Sequence, residues 1–515
     1  MRIVHSAAIA FLFLAAALPG QAAPCGSTGL YRGSADVPGG SKVEVTLNLY
    51  CDNGSAAAQL FTSMGDFGVK DVAGTPNGVH VAFDSGASLG TLELDAKDST
   101  LAGAFTLAGD KGSVSLTRVG DALAANALNP TLDLTPAQWR EDLNFFAREL
   151  PLRHANAFFL LSKSKFEAEI AALDARLDRA NGDEVFVALQ AIAKSIGDGH
   201  TGVNAPGDRR VMPLQFARFG KDIRVVATGP GLERALGARL LKVAATPVAE
   251  VWRRVLTLTP QGELMELRRS DALVYLSRGY ALHGLGVTSD RTRTTYTLAN
   301  DAGKAFRLEV KGLPPGESVP MKSGYSNTAL RFQQTDQPFW CKPLPANHAL
   351  YCAWHAYQQL DVHAKAMFTL IAQLHPAKLI LDMRDNGGGD NTVGDAELIK
   401  PLKASAEYNV KGKLYVLIGA ETFSAAMNNA AQFQDETNAI LVGETIGEKP
   451  NSYQEPRQFR LPNSHLVVRA STLYYTFRKS GENAVRPNKQ ITPTWNDVKA
   501  GRDPALDWVL AQPAG

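Results

Sequence analysis

Between about Ser323 and the C-terminus, short apolar runs alternate with helix-like stretches: "LYCAWHAY", "VHAKAMFTLIAQL", "AKLILDMR", "KLYVLIGA", a helix after Ser424, then "AILVGE". Strands that alternate with helices specify an α/β layer on a mainly parallel or mixed sheet. No other feature restricts the fold as much. It also says where chemistry would sit, because ligands of such sheets gather in the loops at the strand carboxyl ends.

The remainder reads as separate modules, as expected for a chain of 515 residues, which exceeds what one hydrophobic core supports. Over 24–122, runs such as "KVEVTLNLYC", "VHVAFDS" and "GSVSLTRV" alternate apolar and polar residues between Gly, Asn and Asp turns, which predicts a β-sandwich or barrel. "ANALNPTLDLTP" is a linker, and 133–205 carries helical periodicity that opens with Thr135 as N-cap and Pro136 at the first helical position. Residues 212–315 read as a βα insert in which "GARLLKVAATPVAEV" resembles the strand, turn and helix of a PDZ domain, without that fold's Gly-Leu-Gly-Phe carboxylate loop. The α/β core takes 323–510. The predicted fold class is therefore multidomain α/β with an N-terminal all-β module, a helical segment and a possible PDZ-like insert.

Residues 1–22 read as an export signal: Arg2, the short apolar core "AAIAFLFLAAAL", and small residues ending at Ala22. That core is shorter than the roughly 20 residues a bilayer span needs, and no later segment is apolar enough. A periplasmic or secreted location follows, with no membrane span after signal removal. In an exported chain, Cys25 with Cys51 and Cys341 with Cys352 are expected to form two local disulfides. Their spacing is not that of a metal site, so no metal is expected. With 53 Lys+Arg against 51 Asp+Glu, the net charge of +2 carries no footprint for nucleic acid.

Three stretches invite chemistry. "LILDMRDNGGGDN" breaks an apolar strand with Asp385, Asn386 and three glycines, which let backbone N–H groups approach a ligand as an oxyanion hole requires. "SIGDGHTG" puts His200 in a Gly-rich turn, where it is either a surface residue or a base working near neutral pH. In "LIGAETFSAAMNNAAQF", Ser424 joins strand to helix, as a helix cap or as a nucleophile.

Together, "DGHT", "LDMRDNGGGD" and "TFSAAMNNAAQF…AILVGETIGEKPN" resemble, in order and spacing, the tail-specific or C-terminal-processing serine peptidases, closest to their tricorn-core-like branch. The resemblance implies a crotonase-like (ClpP/crotonase-type) peptidase core, a polypeptide substrate and no cofactor. It places the nucleophile at Ser424 and the oxyanion donors at the N–H groups of Gly388 and Ala425. Two bases compete. The processing branch uses a lysine, and Lys449 stands at that spacing from the serine, although "GETIGEKPN" departs from Thr-x-Gly-Lys-Gly. The tricorn-like branch uses a histidine, matched by His200, with a glutamate before a Val-x-Pro step, matched by Glu482 in "GENAVRPN". The expected function is an exported serine peptidase with His200 (or Lys449) as base. The absence of the family's Ser-Ala-Ser-Glu text leaves an inactive peptide-binding protein as the alternative. A crotonase-type acyl-CoA enzyme shares the core but conflicts with export.

Overall fold

The computed structural model describes residues 28–37, 42–85, 88–107, 110–206, 210–325, 329–479 and 482–513. The expected leader and Cys25 lie outside them. The chain divides into two compact units, 1–128 and 129–515.

The first unit is a closed eight-stranded barrel running from Gly29–Asp36 to Asp110–Gly120. The choice between sandwich and barrel falls to the barrel because the first strand pairs with the last as well as with the second, with Gly33 opposite both Val45 and Leu116. Alternation does the rest: in Gly78–Asp84, every second residue is buried. Leu47, Leu60, Val81, Leu101 and Leu116 form the interior. Buried Asn48 exchanges hydrogen bonds with the backbone of Leu123, at 3.1 and 2.9 Å, and so pins the segment leaving the barrel.

In the second unit the helix Pro136–Arg153 begins with the expected cap. The Thr135 side chain accepts from Gln138 N–H, and the Gln138 side chain accepts from Thr135 N–H. Trp139, Leu143, Phe146 and Leu150 bury one stripe of it. The helices Lys163–Asp174 and Gly182–Ser195 complete this layer. Gly197, at φ 127°, then turns the chain toward His200. The two-residue strand Gly202–Val203 joins the hairpin Asn451–Arg460/Val467–Thr476, which fixes that turn against the core.

The insert is an antiparallel sheet of Leu214–Phe219, Asp222–Thr228, Arg239–Val243, Arg293–Ala299 and Ala305–Lys311 with its own apolar core. The helices Val248–Val255, Met265–Tyr275 and Gly279–Gly284 lie between its third and fourth main strands.

The core sheet runs in the order Phe339–Leu344, Ala349–Trp354, Lys378–Asp382, Leu414–Ile418, Ile440–Gly443, Lys489–Gln490; the first pair is antiparallel and the others are parallel. Its central strands are apolar because both faces are covered, apart from Lys378 and Asp382 at the two ends of one of them. Leu350, Leu379, Leu381, Val416 and Ile418 pack with Met367 and Ile371 of the helix Leu360–Leu374 and with Met427 and Phe433 of the helix Ala425–Glu436. Tyr351, Ile380, Tyr415 and Leu417 face the opposite way, toward Leu506 and Val509 of the helix Pro504–Ala511. Cys341 and Cys352 sit directly opposite each other on the antiparallel pair and form a disulfide.

Candidate active site

Three loops leave the carboxyl ends of neighbouring parallel strands: 383–390 after Lys378–Asp382, 419–424 after Leu414–Ile418, and 444–450 after Ile440–Gly443. Short bonds tie them together. Thr422 Oγ1 donates to Met383 O at 2.8 Å, and Phe423 N–H donates to Asn386 O at 3.0 Å.

Ser424 precedes the helix Ala425–Glu436, yet its side chain makes no capping hydrogen bond. Its backbone lies at φ 54°, ψ −126°, a region costly for any residue with a Cβ. That turn aims the hydroxyl away from the helix, and Oγ comes 3.2 Å from His200 Nε2.

His200 is held by the turn that carries it. Asp198 Oδ1 accepts from His200 N–H at 3.0 Å, from Thr201 N–H at 2.7 Å and from the Ser471 hydroxyl at 2.6 Å, while Oδ2 lies 2.9 Å from His154 Nε2. Burial alone would raise the Asp198 carboxyl; these hydrogen bonds, from His154 and Ser471 first, pull it down to about 2. The His200 ring stacks on Phe423 with centroids 4.7 Å apart. Burial pushes its pKa down to about 4, against the pull of Asp198, so the imidazole is neutral at neutral pH.

The carboxylate facing His200 is Glu448. Its Oε1 lies 3.4 Å from His200 Nδ1, and its Oε2 accepts the Ser424 N–H. For the Ser424 hydroxyl to donate to Nε2, the imidazole proton must sit on Nδ1, opposite Glu448. Glu448 is fully buried, and its pKa is raised by that burial and then by the neighbouring carboxylate of Glu263, with the Ser424 N–H opposing.

The structure brings Ser424 and His200 together and leaves the other two candidates aside. Glu482 is exposed on its loop and pairs with Arg486, Oε2 to Nε at 2.7 Å. Lys449 points away from the serine and donates through Nζ to Gly262 O. The two adjacent side chains take different partners, Glu448 facing His200 and Lys449 reaching Gly262. Sequence reasoning passed over Glu448 and Asp198, although both lie inside the quoted motifs, next to Lys449 and two before His200.

Of the two oxyanion candidates, Ala425 opens its helix, so its N–H has no partner within that helix. Gly388 lies against the serine: a Cβ on it would come 2.7 Å from Ser424 Cβ, and its φ of 107° excludes other residues. Its N–H donates to Asn386 Oδ1 at 2.9 Å. Among the described residues, no group of three or more His, Cys, Asp and Glu is placed to hold a metal ion. A cavity of 340 Å³ opens beside the site, lined by Arg218 and Arg269 of the insert and by Arg331, Glu421 and Glu444 of the core; Ser424 and His200 do not line it.

A hydroxyl on an imidazole at the carboxyl edge of a sheet, beside a glycine loop, is the arrangement that acyl-transfer hydrolases use. Residues 390–496 match the model of Peptidase family S41, in line with the resemblance to the tail-specific peptidases. With that family match, the arrangement points to a serine-type peptidase, a hydrolase. No curated protein matches the sequence. Among solved structures, mature CPAF is similar with a TM-score of 0.53 and 15% identity, over 73% of this chain and 96% of that one. Mature CPAF complexed with lactacystin is similar with a TM-score of 0.53 and 13% identity, over 73% and 98%. These likenesses bear on the fold.

Proposed function

We propose that the chain is an exported peptidase that cleaves polypeptides through a Ser424–His200–Glu448 triad. The observation that carries this reading is the 3.2 Å approach of Ser424 Oγ to His200 Nε2, made by a serine whose hydroxyl does not cap its helix. Neutral His200 takes the hydroxyl proton as Oγ bonds to the substrate carbonyl carbon. The proton passes to the departing amine as the C–N bond breaks, and water then releases the acyl group by the same base. Glu448 holds the Nδ1–H tautomer and, once ionised, offsets the imidazolium charge. The carbonyl oxygen is received by the Ala425 N–H and, once it leaves Asn386, the Gly388 N–H.

The charged lining of the adjoining cavity suits a peptide segment rather than an acyl chain. The leader-like sequence and the disulfide support a location outside the cytoplasm, in the periplasm or beyond. Among the described residues no helix is long and apolar enough to cross a membrane. The insert is read as a PDZ-like module on its sequence resemblance, and the core as crotonase-like on the resemblance to the tail-specific peptidases.

The alternative, a peptide-binding protein without turnover, has one observation in its favour: the Gly388 N–H is already occupied by Asn386. A fluorophosphonate probe separates the two readings. The peptidase reading expects a stoichiometric adduct mapped to Ser424 and lost in His200→Ala; peptide affinity without an adduct overturns it.

A further inference from the structure

A loop of the insert reaches into the catalytic machinery. Residues 259–264 join the insert's short 3-10 turn Leu256–Leu258 to its helix Met265–Tyr275. On one side they bind the segment that leads to His200: Gln261 N–H donates to Lys194 O at 3.0 Å, and Gly262 N–H to Gly197 O at 2.9 Å. On the other side they bind the segment that carries Glu448: Leu264 N–H donates to Gly447 O at 3.1 Å, and Lys449 Nζ donates to Gly262 O. Between them the Glu263 side chain makes both connections at once. Its Oε1 accepts from Gly199 N–H at 3.1 Å and its Oε2 from Lys449 N–H at 2.8 Å. The two donors belong to the chain neighbours of His200 and of Glu448. The fit leaves no slack, since a Cβ on Gly262 would meet Gly197 O at 2.9 Å and one on Gly447 would meet Leu267 N at 2.1 Å.

We propose that Glu263 is a positioning residue for the triad, a carboxylate clasp supplied by the insert that sets the distance between His200 Nδ1 and Glu448. This rests on the Ser424–His200–Glu448 reading. A buried carboxylate is an expensive way to join two backbone amides unless its charge has a use, and here the charge has a specific neighbour. Glu263 is 7% exposed and is faced by Asp198 and Lys194 from the helical layer and by Glu448 and Lys449 from the core loop. Burial raises its pKa first; the Lys449 N–H opposes, and Asp198 adds to the rise. Glu263 and Glu448 therefore discourage each other's ionisation. The clasp ties the ionisation of Glu448, and with it the His200 tautomer, to a residue outside the core.

Replacing Glu263 by Gln tests this, because the amide keeps one acceptor but turns an NH2 toward one of the two donors. Single-turnover acylation of Ser424 by a fluorophosphonate is followed from pH 5 to 9 in the full chain. In Glu263→Gln the limiting acylation rate at alkaline pH should fall about tenfold, with little change in the probe concentration giving half-maximal rate. The acid limb should move down by about one pH unit, because Glu448 loses its charged neighbour. A merely structural residue would lower the amount of reactive protein without moving the limb. Deuterium uptake of the wild-type chain gives an arm that does not depend on the variant folding: the Gly199 and Lys449 amides should be protected. An unchanged rate and limb in Glu263→Gln, or unprotected amides in the wild type, overturns the clasp. A wild-type chain that is not labelled at Ser424 overturns the triad itself, which is a distinct outcome.

Discussion

Ser424 is the place where stability and reactivity pull apart, and a pair of substitutions reads the difference. At φ 54°, ψ −126° the residue stores about 1–3 kcal/mol of backbone strain. Glycine releases that strain but loses about 0.4–1 kcal/mol through the greater freedom of the unfolded chain. The hydroxyl's bond to His200 complicates the comparison, so the measurement belongs in the His200→Ala background, where no imidazole remains. There, Ser424→Gly should raise stability by about 1 kcal/mol. If the serine were a helix cap instead, the same change would lower stability by a few tenths of a kcal/mol. The sign decides. Urea unfolding followed by tryptophan fluorescence, with both proteins run in parallel, resolves a difference of this size through the shift in midpoint. In the otherwise wild-type chain, Ser424→Ala and Ser424→Gly should both be inert to fluorophosphonate. A less stable glycine variant would refute the strained-elbow argument, and residual acylation in either would refute the nucleophile.

Three further outcomes follow from the same geometry. Glu448→Gln should slow acylation by about 10²–10⁴-fold through loss of the correct tautomer, whereas Lys449→Ala should cost only a few-fold and Glu482→Gln nothing beyond about twofold; single-turnover rates check the order, and an inert Lys449→Ala beside an active Glu448→Gln would restore the lysine dyad. Gly388→Ala should lose probe labelling and destabilise the core by at least about 1–3 kcal/mol, since it forces a side chain into a positive-φ site against Ser424; labelling at the wild-type rate would count against the oxyanion role. Acid should destabilise the fold in two windows. His200, depressed to about 4 in the fold, favours the native state fully above its ordinary 6.5 and loses that contribution as pH falls from 6.5 through about 4. Asp198, depressed to about 2, contributes about 2 kcal/mol above its ordinary 3.8 and loses it as pH falls through about 2. Unfolding free energies against pH for His200→Asn and Asp198→Asn should each lack the corresponding slope.

What the sequence discloses follows from the range of the forces involved. The Thr135 cap and the alternating barrel strands are legible because they depend on neighbours a few residues apart. Closure of the barrel is not, since it depends on Gly33 meeting Leu116 across the whole module. Ser424 and the glycine loop could be located because apolar parallel strands must end in loops at one edge, and that edge brings the loops together whatever lies between them. The proposed third member of the triad escaped for a reason internal to that edge. Counting residues from the serine reaches the loop after Ile440–Gly443 but cannot say which of two adjacent side chains turns inward. The packing of the insert decides that: with Leu267 against Gly447 and Glu263 holding the Lys449 N–H, the backbone is fixed so that Lys449 Nζ turns to Gly262 O and Glu448 is directed at His200. Which of Glu448 and Lys449 faces His200 is thus set by a segment far from both in the chain. Changing that segment should disturb the reaction without touching any residue that contacts substrate.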